Sequence, residues 1–376
     1  MTTISNTIDG SGQDSLDRIE RIERPEPIVK AEALAYVIFE RRDVPEMTRF
    51  LRDFGFLPVE GAWGGSHYFR GHGPSPYLVV IEESERDHFK GIGLTARSAE
   101  DLEHFAAAVG VASVPAEGPG GGRRVRLADP GGLQVDLVHG VTKMPELPTR
   151  DRLVPVNIPS RRQRVNEGVR TALEPSPIFR IGHVVLERPD FTEATQWYMR
   201  HFGLIPSDVQ AFPSGKLGLG FFRLDRGAEP ADHHTLAILG GAKTGVLHVA
   251  FETFDLESVG QGHQYLRARG WTPYWGIGRH MLGSQLFDYW KDSVGDEWEH
   301  YADGDVLDST VPTGYHWLTR GGLWAWGDDL PDSMRPDVPL DRLEELHAAG
   351  AFGDLPLEKA RDLFTALQVQ PRPWMR

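Results

Sequence analysis

Between Arg279 and Asp305 the chain reads RHMLGSQLFDYWKDSVGDEWEHYADGD, with an imidazole (His280), a phenol (Tyr289) and a carboxylate (Glu299) at intervals of nine and ten residues. Residues 285 to 290 favour a strand, Asp292-Ser-Val-Gly295 offers turn residues, and residues 296 to 301 can return as a second strand. Alternate residues of a strand share a face, so Tyr289 and Glu299 are both expected to point inward and share one cavity. A phenol beside a buried carboxylate reads as the end of a metal site. The remaining ligands must come from elsewhere in the chain.

The 376 residues include no cysteine, which excludes disulfides, thiolate ligands and cysteine nucleophiles together. Any metal must be held by His, Asp or Glu. A formal charge of −14 argues against nucleic acid and anionic membrane surfaces, both of which are bound through clustered Lys and Arg. No apolar run approaches the roughly 18 to 20 residues needed to span a bilayer. The polar start MTTISNTIDGSGQDS lacks the apolar centre of a signal peptide, so a cytoplasmic protein is expected.

The elements that must carry these residues come in a repeating order. After an N-terminal arm (residues 1–30), residues 31–143 read as strand 34–39, helix 45–54 closed by Gly55, strands 77–81 and 91–96, helix 99–109, and strands 124–127 and 134–138 around Asp129-Pro-Gly-Gly132. Residues 144–177 show no periodicity and read as a linker. Residues 178–314 then repeat the first pattern. The extension 315–376 departs from it, with Trp317, Trp324, Trp326 and two helices, 340–348 and 357–367; it reads as a cover or an oligomer contact, without a catalytic signal.

Four segments recur in the same order. Tyr36-Val-Ile-Phe-Glu-Arg-Arg-Asp43 with Glu46 is echoed by His183-Val-Val-Leu-Glu-Arg-Pro-Asp190 with Glu193, and Phe54-Gly-Phe-Leu-Pro58 by Phe202-Gly-Leu-Ile-Pro206. Gly91 to Thr95 lies opposite Gly245 to Val249 or a near register, and Asp129 to Asp136 lies opposite Asp292 to Glu299. A duplicated domain explains this order. The fold class expected is α+β: two tandem domains, each of paired βαβββ modules forming a curved, barrel-like mixed sheet around a cavity.

If the halves are duplicates, the second presents His183, His248 and Glu299 where the first presents Tyr36, about Gly93, and Asp136. Two imidazoles and a carboxylate leave coordination positions open, the arrangement associated with non-haem Fe(II) enzymes that bind oxygen and substrate together. Core packing is the competing reading for a strand histidine such as His183 or His248, and for Tyr289 within its aromatic run.

Residues 178 to 306 carry GHVVLERPDFTEATQWYMRHFGL, DHHTLAILG, LHVAFE, GIGRHMLGSQLFDYW and EWEHYADGD, which together resemble the C-terminal domain of the type I extradiol catechol dioxygenases of the vicinal oxygen chelate superfamily. The first half resembles that family's degenerate N-terminal domain more faintly. The resemblance implies His183, His248 and Glu299 as ligands of Fe(II), with Mn(II) as the other ion considered. It implies His234 as the acid–base residue supported by His233, and His280 and Tyr289 as the groups that hold the substrate oxygens. The expected substrates are a small aromatic diol and O2, and the product is a ring-opened semialdehyde or related acid. Homo-oligomers are common in such a family.

The chain departs from the family where Asp292-Ser-Val-Gly295 replaces Asp-Pro-x-Gly and where Asp296 and Glu297 precede the carboxylate; Glu297 shares strand parity and is the alternative ligand. Phe221, Phe222, Trp271, Tyr274 and Trp275 are candidates for an apolar wall, and Arg279 for a contact with a substrate carboxylate. The competing functions are a 4-hydroxyphenylpyruvate dioxygenase-like oxygenase acting on a 2-oxo acid, a glyoxalase-type isomerase or epimerase, and a non-enzymatic aromatic-binding member of the same superfamily.

Overall fold

The computed structural model describes residues 16–61, 63–149, 156–170, 172–334, 338–353 and 355–368. The first fifteen residues of the expected arm, seven residues of the linker and the last eight of the extension lie outside them. Among the described residues no helix is long and apolar enough to cross a membrane.

The first half holds two βαβββ units. One consists of β1 (Ala31–Arg41), α1 (Val44–Phe54), β2 (Leu57–Val59), β3 (Ser66–Arg70) and β4 (Val79–Glu83). The other consists of β5 (His88–Ala96), α2 (Ala99–Val109), β6 (Val114–Pro115), β7 (Arg123–Ala128) and β8 (Gln134–His139). Antiparallel pairing of β1 with β5 joins them in the order β2-β3-β4-β1-β5-β8-β7-β6.

The second half repeats the plan. It has β9 (Arg180–Arg188), α3 (Phe191–Phe202), β10 (Ile205–Ala211), β11 (Leu217–Arg223), β12 (Ala231–Asp232) and β13 (Leu236–Gly240), then β14 (Gly245–Glu252), α4 (Leu256–Ala268), β15 (Thr272–His280), β16 (Leu286–Lys291) and β17 (Glu297–Ala302). The C-terminal segment adds β18 (Val306–Leu307), β19 (Gly314–Trp317), β20 (Trp324–Gly327), α5 (Leu343–Ala348) and α6 (Leu357–Gln368). The second sheet runs β19-β10-β11-β13-β9-β14-β17-β16-β15-β20, so strands of the C-terminal segment extend it at both edges. The fold is α+β with two large curved mixed sheets, as the sequence implied.

Local chemistry sets the helix starts. Asp43, Ser98, Asp190 and Asp255 each accept a hydrogen bond from the backbone N–H three residues on, which satisfies one of the donors a helix leaves unpaired at its N-terminus. Asp43 with Glu46 and Asp190 with Glu193 are two of the echoed pairs, so part of the repetition is helix capping. Gly55 and Gly203 end the corresponding helices with φ of 123° and 68°, which a residue with a Cβ adopts only under strain.

The helices of both halves share one apolar core. Phe50 and Phe54 of α1 pack around Trp298 of β17, and Phe105 of α2 lies 5.5 Å from Phe202 of α3. On β9 and β14, Val184, Leu186, Val249 and Phe251 belong to this core, so His183, His248 and Ala250 face the opposite side of the sheet.

A reciprocal clasp ties the halves. Arg41, at the end of β1, reaches Asp292 at 2.9 Å and also pairs with Asp296, while Arg188, at the end of β9, reaches Asp129 at 2.6 Å. Tyr198 adds a hydrogen bond to Asp129 at 3.0 Å. The echoed Glu-Arg segments and the echoed Asp turns thus meet crosswise, each arginine binding the turn of the other half.

Register corrects one sequence expectation. Tyr36, Gly93, Asp136 and Arg126 form one cross-strand row in the first sheet, and His183, Ala250, Glu299 and Tyr289 form the matching row in the second. Gly93 therefore corresponds to Ala250, and the counterpart of His248 is Gly91, which pairs with Gln134 as His248 pairs with Glu297. The titratable residues of the two strands, His88 and Lys90 in one and His248 and Glu252 in the other, do not fall at matching positions, so sequence comparison does not set the register.

In the first row Asp136 has no solvent exposure and accepts hydrogen bonds from Tyr36 at 2.9 Å and from Arg126 at 2.7 and 2.8 Å. Gly93 leaves room for the Tyr36 ring, since a Cβ there would lie 2.4 Å from it. A guanidinium supplies the positive charge in this half.

Replacing Arg188 by Leu leaves the Asp129 carboxylate buried without its cation, and denaturant titration should show a loss of roughly 3–5 kcal/mol. The same change at Arg42, 66% exposed, should cost less than about 1 kcal/mol.

Candidate metal centre

Three adjacent strands, β9, β14 and β17, bring His183, His248 and Glu299 together. Ala250 stands between His183 and Glu299 in the row, and its small side chain keeps the space above it open. His248 lies two residues before Ala250 on the same face. The Nε2 atoms of His183 and His248 are 3.1 and 3.3 Å from Glu299 Oε2 and 3.4 Å from each other. Such a triangle suits three ligands sharing one ion at about 2.1 Å.

The electrostatics point the same way. Glu299 is fully buried, and its Oε1 has no hydrogen-bond partner, although a buried polar atom without a partner costs about 1–3 kcal/mol. Burial pushes its carboxyl up, but the neighbouring His183, and then His248 and His280, outweigh this and hold it well below the usual range. Burial pushes His248 down against the opposing pull of Glu299. The cluster is a carboxylate beside two imidazoles, a donor set that fits a divalent ion with open positions. His183, His248 and Glu299 are the group of metal-capable side chains that converges among the described residues. Glu297 is not in it: it interacts with Tyr274, and burial pushes its carboxyl up to about 7.

The other expected residues surround this cluster. His234 lies with its ring 4.2 Å from that of His183, and burial, then the neighbouring His183 and His233, push its imidazolium form well below the usual range. Tyr289 neighbours His248 at 5.0 Å between rings; burial and the Glu299 charge hold it in the neutral phenol form. His280 Nδ1 lies 2.9 Å from the Leu323 carbonyl, which can only accept, so the ring hydrogen sits on Nδ1 and Nε2 accepts the Tyr289 hydroxyl at 2.9 Å.

Of the candidate aromatic wall, Phe221 packs 5.1 Å from His234 and Trp275 packs 5.6 Å from Tyr289. Phe222 and Trp271 lie in the main core, and Tyr274 hydrogen-bonds Ser333. Strand alternation separates the neighbours Phe221 and Phe222. Phe287, 4.3 Å from His280, joins the wall and was not singled out from sequence. Arg279 is paired with Asp303 at 2.8 Å, so it braces an acid.

The C-terminal segment corrects a second expectation. Read as cover without a catalytic signal, it supplies the Leu323 carbonyl to His280 and the His316 ring, 2.6 Å from Asp208. A backbone carbonyl leaves no trace in residue type, and His316 stands outside the repeat, so neither could be found by matching the halves.

Comparison with known proteins agrees with this geometry. Residues 180–299 match the Glyoxalase/Bleomycin resistance protein/Dioxygenase superfamily, and the matched segment ends on Glu299. Metapyrocatechase 2 of Cupriavidus necator is 33% identical over 162 residues, which span 41% of this chain and 46% of that protein, so the match covers less than half the relative's length. The Mn(II)-bound glyoxalase from Novosphingobium aromaticivorans superposes with a TM-score of 0.67 at 23% identity, covering 81% of this chain and 94% of that one. Homoprotocatechuate 2,3-dioxygenase from Brevibacterium fuscum, solved with 3,4-dihydroxyphenylacetate, superposes with a TM-score of 0.66 at 18% identity, covering 83% and 94%. At these identities the structures establish a shared fold.

Titration of the metal-free protein with Mn(II) should show one ion per chain by calorimetry. At a hundredfold excess over Kd it should add about 2.7 kcal/mol to stability. Glu299→Ala should abolish both effects. Because burial lowers the His248 pKa, ion binding should persist to a pH below the ordinary histidine value of about 6.5.

Proposed function

We propose that the chain is an extradiol ring-cleaving dioxygenase that opens a catechol-type aromatic ring with both atoms of O2, using non-haem Fe(II) held by His183, His248 and Glu299. In this reading residues 178–314 are the catalytic domain and residues 31–143 its degenerate counterpart. The observation that carries the reading is the row His183, Ala250, Glu299 and Tyr289, with His248, His234 and His280 gathered around it.

His183, His248 and Glu299 would hold the ion, which would supply a route for reaction between an electron-rich catecholate and dioxygen, two partners that react slowly when free. The chain's own residues handle orientation and protons. Tyr289, a neutral phenol, donates a hydrogen bond, and in the resting protein that bond goes to His280. An incoming substrate oxygen offers the phenol a new acceptor, and His280, anchored by Leu323, remains beside it to steady that oxygen.

His234 is kept neutral by burial, so it enters the reaction with a free lone pair. It takes a proton from a catechol hydroxyl and returns one to oxygen as negative charge builds there. Phe221, Trp275 and Phe287 present apolar surface beside these groups, which suits the faces of an aromatic ring and excludes water.

The test is anaerobic loading with Fe(II), followed by oxygen consumption and visible absorbance with plain, alkyl-, aryl- and carboxyl-substituted catechols. Uptake with a yellow product is expected, with loss of turnover in Glu299→Ala and a fall in kcat on the order of 10²- to 10⁴-fold in His234→Asn. Iron-replete protein that consumes no oxygen with any catechol would sink the reading, and turnover of a 2-oxo acid instead would replace it.

A further inference from the structure

His234 is the last member of a hydrogen-bonded line that begins near the surface. His316 on β19 places its Nε2 2.6 Å from Asp208 Oδ1, and Asp208 Oδ2 lies 2.6 Å from His233 Nε2. His233 Nδ1 then lies 3.0 Å from His234 Nδ1. His233 and His234 are 2% and 3% exposed, whereas the His316 side chain is 40% exposed, so the line runs from solvent to the metal cluster.

Two glycines make room for it. A Cβ on Gly314, which faces Asp208 across the parallel β10–β19 pair, would stand 2.0 Å from Asp208 Oδ1 and 2.8 Å from His316 Nε2. A Cβ on Gly283 would stand 2.9 Å from His233 Nδ1. A side chain at either glycine would displace the members of the line that it faces. Phe221 lies against both His233 and His234, with its ring centroid 5.6 and 5.1 Å from theirs.

Hydrogen-bond chemistry then orders the protons. An ionised carboxylate can only accept, so the ring hydrogens of His316 and His233 belong on their Nε2 atoms. Burial pushes the Asp208 carboxyl up, but the bonds from His233 and His316 outweigh this and bring it to about 2, so it is ionised at neutral pH. With its one ring hydrogen on Nε2, His233 presents a bare Nδ1 to His234, and a bare Nδ1 can only accept, so the 3.0 Å contact is made by a hydrogen on His234 Nδ1.

We propose that His316, Asp208 and His233 are positioning residues that select the Nδ1–H tautomer of His234, so that His234 meets the substrate with the lone pair of Nε2. This rests on His234 being the acid–base group of the reaction proposed above, and it deepens that reading. None of the three positioning residues needs to touch substrate. His316 places one end of the line in the C-terminal segment, so that segment sets the working tautomer of a residue on a distant part of the chain.

The experiment is a long-range proton–nitrogen correlation on metal-free protein labelled with ¹⁵N-histidine, with His234 assigned by its loss in His234→Asn. Wild type should show the Nδ1–H tautomer. In Asp208→Asn the amide offers a donor to one imidazole where a carboxylate offered only acceptors, and the His234 signal should move toward the Nε2–H tautomer. Gly314→Ala, which removes no polar group, should move it the same way. Retained Mn(II) binding reports that each variant is folded, and either variant suffices for the test.

With Fe(II) and a catechol, both variants should lose kcat on the order of 100-fold with KM nearly unchanged. An Nε2–H tautomer in wild type, or a His234 signal unmoved in the folded variants, would overturn the positioning role even if catechols are cleaved. A signal that moves as expected in a protein that cleaves no catechol would retain the line and discard the reaction.

Discussion

Glu299 is a carboxylate with no exposure to solvent at the middle of a ten-stranded sheet, and the surrounding structure has to supply the charge that such burial requires. The duplicated half faces the same requirement at Asp136 and meets it with the guanidinium of Arg126 and the phenol of Tyr36. In the second half those two row positions are occupied by Tyr289 and His183, neither of which brings a permanent positive charge. One buried oxygen of Glu299 remains without a partner. The two rows are alternative solutions to one electrostatic problem: a closed ion pair in one half, and in the other an open set of donors suited to a divalent ion.

That openness is sustained by the way the halves hold each other. The helical faces of both sheets share one core, so the opposite face of the second sheet can be given over to polar groups without starving the protein of buried apolar surface. The crosswise ion pairs, Arg41 with Asp292 and Arg188 with Asp129, anchor the ends of the strands that carry the row. Asp292 also organises the turn between β16 and β17 by accepting from the backbone of Val294 and Asp296, which sets the pairing of Tyr289 with Glu299. A clasp between halves and the register of the site are thus one set of interactions.

The C-terminal segment completes the enclosure. Its strands add an edge on each side of the second sheet, and Trp324 and Leu330 pack with Trp275, Phe287 and Tyr289. Through Leu323 and His316 it also decides where hydrogens sit on His280 and on the line leading to His234. Imidazole chemistry depends on which nitrogen carries the proton, so distant backbone and carboxylate acceptors govern what the site histidines can do.

By itself, the sequence determined the duplication, the βαβββ order, the capping pairs Asp43 with Glu46 and Asp190 with Glu193, and the strand parity that set Tyr289 and Glu299 on one face. These follow from local chemistry: turn residues, helix caps and the two-residue period act over a few positions and leave their mark in residue type. Family resemblance, carried by motifs in the same order, supplied His234 and the roles expected of His248 and His280. The register of β5 against β14 was not legible, because their titratable residues do not match in position and the pairing is settled only when neighbouring strands are in place. Nor was the division of Phe221 from Phe222, the pairing of Arg279 with Asp303, or the reach of His316 to Asp208 across 108 residues. Only the tertiary structure decided these, because each depends on the distance between groups that the chain brings together from far apart, and spacing along the chain does not encode that distance.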